Sequence, residues 1–447
     1  MFAPSRFQAT PFQFPEKKGV TGFNDITPRM GAAWDVFGNG KTSVKGNFSK
    51  YLQPANNEGP FIIGNPAGAG SFTATTARSW SDTTGLGVNN DFTPQCDFMN
   101  PAANGECGPW LSATFGNAAV TTRVNPDVQH GWGVRPYDWQ YGIGVQQEVA
   151  PRVSVDVSWN RRVWGNFFVT DNMAVGVDDY TRVTLTAPQS AKLPSGGGYP
   201  VAFNIRNTNR VGIGVLDNYY TSADDYGDWT TYWQGIDFSV NARMRRGLVL
   251  QGGFSSGAGH RDNCEVTAKV PELLAINFPF ATQPISSCKY DEPWLTTWRG
   301  LATYTVPKID VLVSATGRST PNVQPDAGGT LVGTNGASLA ANFNATSNLL
   351  SGGALAVGVP FQGVNLVTQG QLYGERINAL DLRFGKNLRF GRTKTNVALD
   401  LYNLFNANTG TAFSQTFPVP PAPDATFLRP TAILNPRFVR FNVTFDF

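Results

Sequence analysis

Along much of the chain, apolar and polar residues alternate with period two, the pattern that gives a β-strand one apolar and one polar face. The final stretch is the clearest case: Val439, Phe441, Val443, Phe445 and Phe447 fall on one face, and Arg440, Asn442, Thr444 and Asp446 on the other. Five other regions show the alternation on both sides of a short turn and predict hairpins. Met30 to Val36 turns through Phe37 to Lys41, which contains an Asn-Gly pair suited to a tight reversal, into Val44 to Phe48. Trp139 to Val145 turns at Ala150-Pro151-Arg152 into Val153 to Trp159, and Ile236 to Ala242 turns at Arg245-Arg246-Gly247 into Leu248 to Phe254. Trp294 to Thr305, whose own alternation is poor, turns at Val306-Pro307-Lys308 into Ile309 to Val313. Leu380 to Phe384 leads through an expected turn over Asn387 to Lys394 into Val397 to Leu401.

Five hairpins and one terminal strand make eleven strands of about 9 to 14 residues, a length that suits tilted membrane-crossing strands. Between them lie stretches rich in Gly, Asn, Thr, Pro and aromatic residues, at about 52–136, 165–229, 259–292, 319–373 and 406–436. Short turns therefore alternate with long loops, as they do in outer-membrane barrels with short periplasmic turns and long extracellular loops. The expected fold class is all-β, an antiparallel transmembrane β-barrel. A soluble sandwich or propeller would have connections of similar length at both ends and no apolar C-terminus. Single-chain bacterial barrels close with an even number of strands, so eleven imply strands outside this chain, an undetected strand, or pairing with another copy. Residues 1–27 hold three prolines and no clean alternation, and read as an irregular segment before a partial barrel over 28–447.

Composition sharpens this picture. The 447 residues are 41% hydrophobic but only 15% charged, below the roughly 25% usual for soluble proteins. No run approaches the ~18 apolar residues of a spanning helix. A net charge of +3 without a basic stripe argues against a nucleic-acid partner. Met1 to Gly19 lacks the charged and apolar regions of a signal peptide. The cysteines fall as two sequential pairs, Cys96 with Cys107 and Cys264 with Cys288, in loop-like stretches that suit two local disulfides and an oxidising compartment. Without a signal the chain either is cytosolic or lacks its true beginning, and because disulfides conflict with the first, the start of the chain is suspect. Zinc ligation would need a CxxC spacing or nearby histidines, and neither His130 nor His260 flanks a pair in that way. No metal or cofactor is expected.

The segments DITPRMGAAWDVFGNGKTSVKGNFSKY from Asp25, DWQYGIGVQQEVAPRVSVDVSWNRR from Asp138, GIDFSVNARMRRGLVLQGGFSSG from Gly235 and NALDLRFGKNLRFGRTKTNVALDLYNLFNAN from Asn378, with the Phe-ended last strand, span nearly the whole chain. Together they resemble the C-terminal barrel half of TonB-dependent outer-membrane receptors, of the type common in acidobacterial carbohydrate-utilisation loci. The Tyr402-Asn403-Leu404-Phe405-Asn406 element is the most specific part. The resemblance implies a 22-stranded barrel of which strands 12 to 22 are visible, with a plug, TonB box and signal peptide on the N-terminal side. It also implies residence in the Gram-negative outer membrane and partnership with outer-membrane lipid, with the TonB complex through the plug, and with the barrel-assembly machinery. In such a barrel the last strand runs toward the periplasm, so the first of eleven does too, and Met30 to Val36 does enter a short turn.

Several residues then invite roles. Val439, Phe441, Val443, Phe445 and Phe447 resemble the terminal signal read by the barrel-assembly machinery through edge pairing; as lipid-facing residues they would follow the same pattern. The loop aromatics Trp80, Trp110, Trp132, Tyr219, Tyr220 and Trp229 could stack on sugar rings or an aromatic chelate, or simply pack their own loops and girdle. Asp156, Asp237, Arg243, Asp381, Arg383 and Asp400 could line a lumen and grip a plug. Ser195-Gly196-Gly197-Gly198 lacks the Lys-Ser/Thr of a phosphate loop and reads as a flexible turn. Asp224-Asp225-Tyr226-Gly227-Asp228 lacks the ligand spacing of an EF-hand and reads as a solvated acidic loop. His260, beside Arg261 and Asp262, is expected in a loop with no nucleophile motif, so no Ser-His-Asp set is defensible and an enzyme is the weakest class. The leading expectation is a barrel for energy-coupled uptake of a scarce solute, oligosaccharide before siderophore or corrinoid. The alternatives are a passive barrel or adhesion protein, and a secreted soluble β-rich carbohydrate-binding or hydrolytic protein.

Overall fold

The computed structural model describes residues 22–55, 75–83, 90–111, 115–116, 122–207, 216–244, 247–275, 282–322, 341–346, 349–351, 362–390, 393–417 and 426–446. Phe447, Arg245, Arg246 and residues 1–21 of the N-terminal segment lie outside them. The expected period-two stretches form one antiparallel sheet. Its strands are β1 (Arg29–Asp35), β2 (Thr42–Leu52), β3 (Tyr137–Ala150), β4 (Val153–Gly165), β5 (Thr230–Arg243) and β6 (Leu248–Asp262), then β7 (Leu295–Val306), β8 (Val311–Asn322), β9 (Gly374–Phe390), β10 (Thr393–Tyr402) and β11 (Phe438–Asp446). Each strand pairs with the next in chain order from β1 to β11, and Lys289–Asp291 adds a short piece beside the end of β6. Among the described residues, β1 and β11 do not pair with each other, so the sheet is open. No described helix is long and apolar enough to cross a membrane.

Register turns the alternation into two continuous faces, because directly paired residues share a side. Trp34, Val44, Val145, Val157, Phe238, Phe254 and Trp298 form one unbroken cross-strand row. Val439, Leu401, Leu382, Ala315, Ala302, Leu250, Ala242 and Val153 form another on the same face. Among the described residues the large side chains of this face are uncovered: Trp34 is 64% exposed and Phe441 78%. On the opposite face a row runs Arg440, Asp400, Arg383, Ser314, Thr303, Val249 and Arg243. Within that row Asp400 is only 4% exposed. Its Oδ2 accepts from Arg440 Nη2 at 3.1 Å, and Arg383 Nε stands 3.5 Å from Oδ1.

Three expectations are corrected. The turn placed over Asn387 to Lys394 is sheet instead: β9 and β10 pair from Leu382–Leu401 to Phe390–Thr393, and Asn396 Nδ2 donates to Asn387 Oδ1 at 2.8 Å across the strands. Two facing asparagines satisfy each other, so polar side chains there do not end the strand. Ile309, expected on a strand, lies in the turn that joins β7 and β8. His260, expected in a loop, lies on β6, which runs on to Asp262. Strand lengths are also wider than expected, from the 7 residues of β1 to the 17 of β9.

The packed cores lie off the sheet, in the long connections. Tyr180–Thr186 pairs with Pro200–Arg206, and Asn342–Ala345 with Gln362–Asn365 and with Thr416–Phe417. Leu185, Phe203, Phe343, Leu366, Phe417 and Phe427 meet in a fully buried cluster that unites the connections before β5, β9 and β11. Each buried aromatic there contributes about 2–3 kcal/mol. A second cluster joins Val169, Ala223 and Val266, with Phe167, Tyr226, Trp229 and Leu273 packed against it. We expect Asp400→Ala to destabilise the β9–β10–β11 pairing by about 1–2 kcal/mol, less than for a fully buried pair because both arginines are half-exposed. A lowered unfolding temperature of the folded sheet, with Ser314→Ala as the neutral comparison, is the readout.

Candidate functional site

Two regions carry chemistry: the cap built by the long connections at one end of the sheet, and the polar face. The cap holds the expected aromatics, but the structure does not bring the six together. Trp80 and Trp110 sit in a small hairpin, Arg78–Trp80 against Cys107–Trp110. Trp80 Nε1 donates to Glu106 Oε2 at 3.2 Å, and Trp110 Nε1 to the Phe98 carbonyl at 3.1 Å. The Cys96–Cys107 disulfide closes this unit, and Arg78 fixes it by donating to the carbonyls of Asp97, Asn100, Ala102 and Gly108. Trp132 lies apart, 71% exposed. Tyr219 and Tyr220 belong to Asn218–Ser222, which pairs with Phe168–Asn172 and with Thr122–Val124. The Arg123 guanidinium lies 5.5 Å from the Tyr219 ring while pairing with Asp217 at 2.8 Å. Tyr220 is buried edge-on to Phe168, and Trp229 stacks on Phe167 at 4.5 Å. Trp80 and Trp132 are therefore the most exposed of the set, while Tyr220 and Trp229 serve packing.

The cap also contains carboxylates that sequence reasoning missed. Cys264–Cys288 bonds the start of the helix Cys264–Lys269 to the end of the single turn Ile285–Cys288. Just beyond, Glu272 accepts the Asn172 amide at 2.7 Å, and the Tyr226 hydroxyl donates to Asp171 at 2.7 Å. The first bond ties the helix Glu272–Ala275 to Phe168–Asn172, and the second ties Tyr226 to the same strand. Burial, reinforced by Asp171, pushes the Glu272 carboxyl up to about 7. Glu292 is buried too; its Oε2 accepts the Gly259 amide at 3.0 Å, and burial pushes it up to about 7. Nothing in the local sequence marks either glutamate, since only tertiary packing removes them from water.

The remaining motifs are structural here. Ser195 to Gly198 is a tight turn with positive φ throughout, and a Cβ at Gly197 would lie 2.0 Å from the Pro188 carbonyl. In the acidic stretch, Ser222 caps a single turn by accepting the Asp224 amide at 3.3 Å, and Glu265 accepts the Asp228 amide at 3.1 Å. His260 Nδ1 is 2.5 Å from Asp291, and the imidazole stacks on Tyr232 at 4.8 Å. His130 lies with Trp132 in the stretch before β3.

On the polar face most expected charges have partners. Asp156 meets Lys45 at 3.9 Å; Asp237 accepts from Asn160 at 2.8 Å and from Ser255; Asp381 accepts the Asn403 amide at 2.8 Å. Arg162 pairs with Asp138 further along. Arg243 has no side-chain partner among the described residues, and lines a cavity of about 480 Å³ with Lys41, Glu148 and Arg152 near the short turns. Of the expected terminal-strand residues, Val439, Phe441, Val443 and Phe445 share the uncovered apolar face of β11 at the sheet edge.

No protein-family model and no curated protein matches the chain. Among solved structures it is similar to the FpvAI receptor in its complex with pyocin S2, with TM-score 0.41, 9% identity and coverage of 93% of this chain and 33% of that one. It is similar to the outer membrane transporter YddB from Escherichia coli, with TM-score 0.41, 9% identity, and coverage of 93% and 40%. A third is the ferripyoverdine receptor of the outer membrane of Pseudomonas aeruginosa bound to ferripyoverdine, with TM-score 0.39, 9% identity, and coverage of 93% and 32%. The chain thus spans between 32% and 40% of the length of these proteins.

The glutamates give the cap a pH dependence. A carboxyl raised from its ordinary value near 4.5 to about 7 binds its proton more tightly in the folded than in the unfolded chain. Its contribution is therefore complete below about 4.5 and is lost as pH rises toward 7. Proteolysis of the long connections should be slower at pH 5 than at pH 8. Glu272→Gln with Glu292→Gln should flatten that difference.

Proposed function

We propose that this chain is the barrel part of an outer-membrane receptor of the TonB-dependent, acidobacterial type, which imports a scarce solute, oligosaccharide before siderophore or corrinoid. One observation carries the reading: an eleven-strand antiparallel sheet presents an apolar face that, among the described residues, no other part of the chain covers. Water on that face would cost about 25 cal/mol for every Å² of apolar surface, whereas lipid makes it the favourable side. On β5 the face runs from Ala242 through Val240 and Phe238 to Ile236, then past Gln234 to Tyr232. The ten steps from Ala242 to Tyr232 are about 33 Å of strand, or about 25 Å of depth at a tilt of about 40°, comparable to the apolar band of a membrane barrel with its aromatic rim.

Aromatic residues gather where this band ends toward the cap. Phe48 lies 4.7 Å from Trp139, Lys50 sits 4.9 Å from the Tyr137 ring, and Arg161 4.3 Å from that of Tyr232. Rings that bridge an apolar and a wet layer, with cations beyond them, form the girdle of such barrels. The cap then faces the exterior, where its disulfides are stable and its exposed tryptophans can meet a sugar ring. The short turns face the periplasm, where a plug inside the polar face would be pulled by the TonB complex. The edge strand β11 offers the barrel-assembly machinery its backbone and the apolar row Val439, Phe441, Val443 and Phe445.

The test is growth of Gram-negative cells producing the native protein, on a panel of oligosaccharides as sole carbon source, with and without TonB. Growth on at least one oligosaccharide that disappears without TonB is expected. Growth independent of TonB would replace energy-coupled import by a passive barrel, and fractionation of the protein into buffer without detergent would overturn the membrane reading itself.

A further inference from the structure

On the polar face, Arg299 of β7 and Arg318 of β8 are direct cross-strand partners. Like charges placed opposite each other destabilise a sheet, so such a pair calls for a counter-charge. Among the described residues neither guanidinium has one: no carboxylate comes within 4.0 Å of either, and neither donates a side-chain hydrogen bond. The row continues through Gly253 on one side and Ala379 on the other, neither of which brings charge. The two carboxylates one row away are already engaged. Asp237 is held by Asn160 and Ser255, and Asp381 by the Asn403 amide.

Beside the pair the surface is hollow. A cavity of about 470 Å³ along β5, β6 and β7 is lined on the polar side by Asp237, Ser239, Asn241, Ser255, Thr297 and Arg299, its one carboxylate being the Asp237 held by Asn160 and Ser255. Gly253 keeps it open, because a Cβ there would lie 1.9 Å from the Phe238 carbonyl, and no larger residue fits. Arg299 therefore stands among hydroxyl and amide groups at the edge of a space large enough for a small solute, and Arg318 lies opposite it on β8, outside the lining.

We propose that Arg299 and Arg318 form a binding site, on the polar face of the sheet, for a doubly charged phosphate-type group of a solute. Two guanidinium forks supply two charges and up to four parallel N–H donors, and a phosphate monoester returns nearly two charges and three terminal oxygens. A single carboxylate satisfies one fork and leaves the other charge uncompensated. Lipid headgroups are excluded by position, since the pair lies on the face opposite the apolar rows. The site does not depend on how the solute arrives, so it stands apart from the transport reading.

The experiment is calorimetric titration of the native, detergent-solubilised protein with inorganic phosphate, and with acetate for comparison, at low ionic strength. Phosphate is expected to bind at least tenfold more tightly than acetate. Arg299→Gln and Arg318→Gln should each weaken phosphate binding at least tenfold, and Arg299→Lys should restore part of it. Arg152→Gln, at the other basic cavity, should leave it unchanged. Circular dichroism and the unfolding temperature report whether each variant is folded. No phosphate binding by the native protein, or equal binding by folded Arg318→Gln, would overturn the proposal without touching the membrane reading. An acidic peptide binding with phosphate excluded would show that the pair holds a protein segment instead, and would overturn it as well.

Discussion

The apolar face of the sheet, built from cross-strand rows such as Trp34 to Trp298, is left bare by the rest of the described residues. In a soluble protein this surface would be the interior. Here the interior lies elsewhere, in the clusters around Phe203 and Phe343 and around Val266, made entirely by the connections at one end. A fold that buries its loops and exposes its sheet is stable only where the sheet meets an apolar medium. The low charge content, the aromatic residues near the cap and the disulfides outside the sheet all follow from that placement.

The two faces divide the work. Every residue on the apolar side is constrained by a solvent that cannot accept hydrogen bonds, which is why the strands satisfy their backbones only through each other. The polar side is free to carry charge, and most of it is neutralised in the sheet plane, as Asp400 is by Arg440 and Arg383. Arg299 with Arg318 departs from that neutrality, whereas Arg243, Arg152 and Lys41 share their cavity with Glu148. A face on which acids are paired and several cations are not is electrostatically prepared for an anionic occupant.

The strands were legible because period two is a local signal, and all eleven appear in the expected order. The signal failed where neighbouring strands override it. Asn387 and Asn396 look like turn residues until they are seen to bond each other, and the Gly-rich run before His260 hides the continuation of β6. The disulfides were legible because each joins residues close in sequence. The cap was not: Phe203, Phe343 and Phe427 meet only in three dimensions, and Glu272 and Glu292 are unusual only because of what covers them. Arg299 and Arg318 could not be recognised as a pair without the register of β7 on β8.

The central claim is that the uncovered face lies against lipid, and alternate labelling along β5 tests it most directly. Single cysteines replacing Ile236, Asp237, Phe238, Ser239, Val240 and Asn241 in turn would carry a fluorophore, since the four native cysteines are bonded in pairs. In vesicles of brominated lipid, quenching should be strong at 236, 238 and 240 and weak at 237, 239 and 241. Equal quenching at both sets, or none at 238, would contradict the account.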